Sequence, residues 1–245
     1  MRLTYVGHST VLIVMDGTRV ITDPVLRTRV AHLHRRDPVE PGSVGEVDGV
    51  LISHAHMDHL DRPSLALLGG QPQVVVPRGA ARLVRGSGRV VEVEAGDEVD
   101  VGMLHVTATH AEHDGRRLPF GGATTPALGY RIDGGLSLYF AGDTDLFDGM
   151  ADIGRTGIDV ALLPVSGWGA RLPPGHLDPL GAARALELLA PKVVVPIHWG
   201  TLAPILPGRS RSMHDEAAHE FARHAASLAP DVDVIVLPPG GSIDL

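Results

Sequence analysis

Four residues within six positions, His54, His56, Asp58 and His59 of the string His54-Ala55-His56-Met57-Asp58-His59, are of the types that bind divalent metals. Imidazole nitrogen and carboxylate oxygen suit Zn²⁺, with Mn²⁺ or Fe²⁺ as alternatives. On an extended segment His54 and His56, two residues apart, face the same side and can share one ion. Asp58 and His59 follow where the chain turns, so they can face a second ion nearby. The string sits between a short apolar run, Gly49–Ser53, that reads as a buried strand, and a helix start with Asp61 as cap and Pro63 in the first turn. A strand end followed by a capped helix gathers side chains at one point. That setting separates the string from a solvated, histidine-rich loop.

The elements that must position these residues follow from the rest of the pattern. Leu3–Val6, Val11–Met15 and Arg19–Thr22 read as strands, with Asp16-Gly17 as the hairpin turn between the last two. The helix capped by Asp61 is expected to run through Leu65, Leu67 and Leu68 and to end at Gly69-Gly70. Val74–Pro77, Arg89–Val93 and Leu104–Thr109 read as further strands. Ala127–Ile132 and Leu136–Ala141 flank a second hairpin at Asp133-Gly134-Gly135. Ile158–Pro164 and Val193–Pro196 read as strands around a helix from Asp178-Pro179 to about Ala190. Met213–Leu228 reads as a helix, Val232–Leu237 as a last strand, and Leu202–Gly208 and Arg27–Arg36 as surface loops. Many strands first, then strands alternating with helices, predict an α/β fold of two packed sheets with helices outside. No linker, repeat or low-complexity tract interrupts the chain, so a single domain over 1–245 is expected.

Composition narrows the function. A net charge of −8 provides no global basic field for nucleic acid. The absence of cysteine excludes disulfides and thiolate ligands, so a metal must be held by His, Asp or Glu. Met1–Thr10 lacks a charged segment followed by an apolar run, and no stretch approaches 18 apolar residues. The expectation is a cytoplasmic protein with no transmembrane segment. Fourteen histidines exceed the nine aromatic residues, a balance that fits a metal protein. A homo-oligomer stays open.

Taken together, the motifs resemble the metallo-β-lactamase superfamily. Within it they resemble the branch holding N-acyl-phosphatidylethanolamine phospholipase D and ascorbate-6-phosphate lactonase. The matching segments are Val6-Gly7-His8-Ser9-Thr10 with Thr22-Asp23-Pro24, Leu51–Leu60, Phe140-Ala141-Gly142-Asp143-Thr144, His176-Leu177-Asp178-Pro179 and Ile197-His198-Trp199-Gly200-Thr201, in family order. The resemblance implies an αββα sandwich, two mixed β-sheets packed face to face with helices outside. It also implies that Asp143 bridges two metals and that His198 completes the second site. The third ligand of the first site has two candidates. Ala111-Glu112-His113 followed by Arg116 fits the family's Ala-x-His pattern and favours His113, with His110 as the alternative; His105 falls inside a strand and reads as structural. Asp23, at a strand end, is placed to accept from a ligand histidine's other N–H. His8 and His176 resemble residues that line the cavity. The basic segment around Arg35 and Arg36 resembles a loop at the active-site mouth that could meet a phosphate.

The chemistry implied is hydrolysis. Seven ligands without a thiolate leave room for a water shared by two divalent ions, whose pKa falls toward neutrality. The resulting hydroxide would attack phosphorus or a carbonyl carbon, with Asp58 or His176 handling the proton. The expected substrate is a phosphodiester or similar ester of a small or lipid-like molecule. The alternatives are a lactonase acting on a (phospho)sugar lactone and a non-catalytic, metal-stabilised binding module.

Overall fold

The computed structural model describes residues 1–117, 124–166, 172–205 and 211–245. The chain runs β1 (Arg2–Gly7), β2 (Thr10–Met15), β3 (Thr18–Thr22), β4 (Arg29–Val30), β5 (Leu33–Arg35), β6 (Gly49–Leu51), α1 (Arg62–Leu65), β7 (Gln73–Pro77), β8 (Arg89–Val93), β9 (Glu98–Val101) and β10 (Leu104–His110). It continues through β11 (Leu128–Asp133), β12 (Ser137–Phe140), α2 (Met150–Arg155), β13 (Val160–Pro164), α3 (Pro179–Leu189), β14 (Val193–Ile197), β15 (Leu202–Pro204), α4 (Arg211–Leu228), β16 (Asp233–Val234) and β17 (Ser242–Asp244).

Two seven-stranded mixed sheets form the body. One has the order β17-β1-β2-β3-β6-β7-β8 and the other β16-β14-β13-β12-β11-β10-β9. In each, an antiparallel half passes into a parallel half: β3, β6, β7 and β8 are mutually parallel in the first, and β12, β13, β14 and β16 in the second. The sheets face each other across one core that includes Leu3, Tyr5, Ile13, Val106, Tyr130, Leu138 and Phe140, and α3 and α4 extend it with Ala182, Ala183, Phe221 and Ala225. A second apolar cluster, including Ile21, Val50, Ile52, Leu60 and Val74, covers the other face of the first sheet. This is the α/β sandwich expected. No helix among the described residues is long and apolar enough to cross a membrane.

The strand reading holds for the long, β-branched segments. It fails where partners rather than propensity decide. The helix after Asp61 is one turn only: Asp61 caps Ser64 N–H at 3.1 Å as expected, but the chain then tightens through i→i+3 bonds, Leu67 N–H to Ser64 O and Leu68 N–H to Leu65 O. The expected strand Val232–Leu237 pairs only over Asp233–Val234. The expected surface loop at Leu202–Gly208 is in part β15, which pairs with β5 of the other expected loop and, with β4, forms a small third sheet; residues 206–208 lie outside the described residues. β17, read as no element, closes the edge of β1 through Leu3↔Ile243.

Gly142 carries the sharpest local demand in the second sheet. Its φ is +63°, and a Cβ there would lie 2.6 Å from Ser53 Cβ and 2.9 Å from Leu128 O. The two sheets approach closely at this point, which brings the residue after Gly142 against the end of β6. Gly142→Ala is expected to lower stability by about 1–3 kcal/mol through overpacking, seen as a drop in the thermal midpoint while a substitution at the open Gly17 turn, with nothing within 4 Å of its Cβ position, can be designed to keep φ positive as a control.

Candidate metal centre

The site is assembled at the C-terminal ends of parallel strands from both sheets. Asp23 follows β3, Ser53 and His54 follow β6, Asp143 follows β12 and His198 follows β14. His113 comes from the chain just past β10. Carbonyl ends of parallel strands splay apart, and the open crevice between two sheets is where side chains can converge. Three of the residues hold left-handed backbone: His8 at φ +58°, Asp23 at +33° and His198 at +63°. Such conformations cost non-glycine residues about 1–3 kcal/mol each. Here they are over-determined by neighbours. His198 N–H donates to His8 O at 2.8 Å, and His8 N–H donates to Thr201 Oγ1 at 2.8 Å.

Two clusters of ligand atoms result. In the first, His56 Nδ1 lies 2.8 Å from His54 Nε2 and 3.2 Å from His113 Nε2. In the second, Asp58, His59 and His198 bring their ligand atoms together, with His8 beside them. Asp143 stands between. Its Oδ2 is 3.2 Å from His59 Nε2 and its Oδ1 is 3.3 Å from His198 Nε2, and it groups with His113 and His176 on the other side.

The outer hydrogen bonds assign which nitrogens carry protons. His113 Nδ1–H donates to Gly175 O at 2.7 Å and His198 Nδ1–H to Ser166 O at 2.6 Å. His59 Nδ1–H donates to Asp23 Oδ2 at 2.7 Å, and His176 Nδ1–H to Pro173 O at 3.1 Å. Each ring therefore turns its Nε2 inward, the arrangement in which outer partners orient metal-binding histidines. Buried His59 Nε2, His198 Nε2 and Asp143 Oδ1 have no hydrogen-bond partner. Buried polar atoms without partners are costly, and a cation answers all three at once. Nitrogen and oxygen donors in two adjoining groups fit two divalent ions.

The electrostatics divide the donors: burial works to lower His59, but Asp143 and Asp23 overcome it and hold that imidazole well above the ordinary range, a proton that a bound cation would displace. Burial holds His54 well below the ordinary imidazole range, and burial likewise lowers His56 and takes His113 to about 4. All three are thus neutral and available as donors. Burial works to raise Asp58 and Asp143, but it is overcome: the His8 bond and the His59 charge hold Asp58 well below the carboxylate range, and His198 and His59 do so for Asp143. Burial pushes the Asp23 carboxyl upward, against the pull of His59 and Ser53. His8, buried beside His198, is lowered to about 3.

The candidates read from sequence divide clearly. His54, His56, Asp58, His59, His113, Asp143 and His198 meet in one place, with Asp23 behind them and His8 and His176 at their sides. His8 Nε2 is 3.1 Å from Asp58 Oδ2, and His176 Nε2 is 3.5 Å from Asp143 Oδ2. His110 points elsewhere; its ring is 57% exposed and faces Glu112. His105 is an exposed strand residue paired with Asp100. Arg35 corrects the expected phosphate-meeting loop. It is only 4% exposed, and its guanidinium donates to Val6 O at 3.0 Å and Val25 O at 2.6 Å. It clamps, from behind, the two turns that carry His8 and Asp23. Arg36 continues from that strand, its N–H on Thr201 O at 3.0 Å. Arg27 is bound to the Asp61 cap by two bonds of 2.8 and 2.6 Å. Sequence reasoning missed Ser53, whose small side chain sits inside the apolar run just before the motif.

The beta-lactamase superfamily domain matches residues 18–199, spanning β3 to the turn after His198. The chain belongs to the metallo-β-lactamase superfamily. Among its relatives in this superfamily, a protein of Methanopyrus kandleri described as a metal-dependent hydrolase is 33% identical over 256 residues, covering 100% of both chains. A metal-dependent hydrolase of Opitutus terrae is 35% identical over 253 residues, again covering 100% of both. Among solved structures, a metallo hydrolase from Ignicoccus hospitalis superposes with a TM-score of 0.74 at 26% identity, covering 99% of this chain and 97% of that one. An isothiocyanate hydrolase from Delia radicum gut bacteria has a TM-score of 0.75 at 18% identity, covering 100% and 99% respectively, and so shares the fold.

Two outcomes test the geometry. In protein purified with excess metal, His113→Ala should retain about one ion per chain where the parent holds about two, measured by elemental analysis, while His110→Ala should match the parent. The reverse pattern would move the ligand to His110. Arg35→Met should leave two buried carbonyls unpaired, at about 1–3 kcal/mol each, and lower the urea midpoint; an unchanged midpoint would show that the clamp is dispensable.

Proposed function

We propose that this superfamily member is a dinuclear metal-dependent hydrolase that cleaves an ester of a small or lipid-like molecule. The observation that carries the reading is Asp143, a buried carboxylate standing between two groups of inward-facing lone pairs. His54, His56 and His113 would hold one ion, and Asp58, His59 and His198 the other, with Asp143 reaching both. Zinc suits this donor set, with manganese or iron as alternatives. Bound divalent ions supply Lewis acidity and a nucleophilic water at neutral pH.

The chain's own groups handle binding and protons. Asp58, held ionised and hydrogen-bonded to His8, is an acceptor beside the second cluster. His176 is 16% exposed and approaches Asp143 at the rim. Its Nδ1–H on Pro173 O turns Nε2 toward the centre, where it can exchange a proton with a leaving oxygen.

A phosphodiester is the first substrate class to consider, because two cations match its charge. A lactone is the second reading, and Arg35 favours it. The guanidinium that was to meet a phosphate is spent on Val6 and Val25 carbonyls, so one half of the expected phosphate-binding pair is withdrawn. Elemental analysis joined to turnover of bis(p-nitrophenyl) phosphate and a lactone panel separates the two. His176→Ala should lower kcat by about 10²–10⁴-fold on the true substrate class, with little change in KM. Protein that carries two ions and turns over neither class would point to a metal-stabilised binding module instead.

A further inference from the structure

Asp23 and Ser53 form a connection between the two clusters. Asp23 is fully buried, and three donors end on it. Ser53 N–H reaches Oδ1 at 2.7 Å, while Ser53 Oγ at 2.5 Å and His59 Nδ1 at 2.7 Å both reach Oδ2. Ser53 Oγ is also 2.9 Å from His54 Nδ1. A hydroxyl has one proton. If Ser53 gives it to the carboxylate, Oγ can only accept from His54, and the proton of that ring must sit on Nδ1. His54 belongs to the first cluster and His59 to the second.

Resting on the dinuclear reading above, we propose that Asp23 and Ser53 are a single positioning device that sets the tautomers of His54 and His59 together and thereby couples the two metal sites. Asp23 acts on His59 directly and on His54 through Ser53. The direction of the chain matters: every proton points toward Asp23, so every Nε2 lone pair points toward the metals. The backbone supports the same end. Asp23 N–H is bound to Leu51 O at 2.9 Å, and its carbonyl accepts from Thr10 Oγ1 at 2.8 Å, so the carboxylate is anchored from both sides in its left-handed conformation.

The two substitutions at this device are not equivalent. Ser53→Ala removes the partner of His54 alone. It should weaken the first site by about 10–100-fold, the range for loss of an outer partner of a ligand histidine, and leave the second near the parent. Asp23→Asn replaces an acceptor by an amide donor. The Ser53 hydroxyl must then accept from the amide and donate to His54 Nδ1, which drives the ring proton to Nε2, the atom aimed at the metal. His59 loses its acceptor in the same step. Asp23→Asn should therefore weaken both sites.

The test is chelator competition for Zn²⁺ on the full chain, with imidazole ¹⁵N–¹H long-range spectra of the metal-free protein. Metal-free wild type should have His54 as the Nδ1–H tautomer and a proton on Nδ1 of His59. Finding His54 as Nε2–H in folded wild type overturns the proposal without any variant, should a variant fail to fold. Ser53→Ala and Asp23→Asn that both keep two sites at parental affinity also overturn it. Wild type that binds no Zn²⁺ at all would instead overturn the dinuclear reading, while the tautomers still report on the hydrogen-bond chain.

Discussion

The inward-facing Nε2 atoms of five imidazoles meet two largely buried carboxylates, Asp58 and Asp143, at one end of the sandwich. Such a gathering of polar atoms is costly to bury. Without cations it leaves His59 Nε2, His198 Nε2 and Asp143 Oδ1 without partners, and each unmatched buried group costs on the order of 1–3 kcal/mol. The rest of the structure is arranged to hold this unfavourable assembly in place, and it can do so because the packed sheets on either side are closed and apolar. Strained backbone persists only where the surrounding structure over-determines it.

The support acts through three layers. Parallel strands deliver the residues to one end of the sandwich, two from the first sheet and two from the second. Left-handed turns at His8, Asp23 and His198 re-aim side chains that regular strands would send to alternate faces. Behind them, polar groups tie the turns to one another: Arg35 joins the carbonyls before Gly7 and after Pro24, and Thr201 joins His8 to the turn after β14. Gly7 is needed for this closeness, since a Cβ there would lie 2.7 Å from Thr201 Oγ1 and 2.9 Å from the Arg35 guanidinium.

This arrangement gives an economy of charge. Arg35 is buried, burial lowers it against the pull of Tyr5 and Asp37, and its guanidinium donates to two backbone carbonyls. The acidic groups of the centre are thus left to the histidines around them. An arginine salt bridge to Asp23 would compete with His59 for the same oxygen. The guanidinium instead fixes the backbone that presents Asp23, and the carboxylate is left to the histidines.

Much of this was legible in the sequence, for physical reasons. The string from His54 to His59 has its spacing dictated by an extended strand running into a turn, so the ligand types and their grouping follow from local geometry. Asp143 and His198 were implied by the resemblance of their segments to the superfamily, with a strand end before each as the setting, and Asp178-Pro179 could be found as a helix start because capping is a local interaction. Long β-branched segments were read correctly since their partners lie close in the chain or their burial is nearly total. What only the tertiary structure decided depends on groups distant in sequence. His113 rather than His110 lies by the first cluster because the chain past β10 turns under Gly175, 62 residues away. Arg35 faces inward because Val6 and Val25 offer it carbonyls, a fact that a run of basic residues does not encode. Leu202–Pro204 becomes a strand only because β5 lies beside it. Ser53 looked like one more small residue in an apolar run. Its role comes from Asp23, 30 residues earlier in the chain and 2.5 Å away in space, and no local pattern specifies where a proton on that hydroxyl must point.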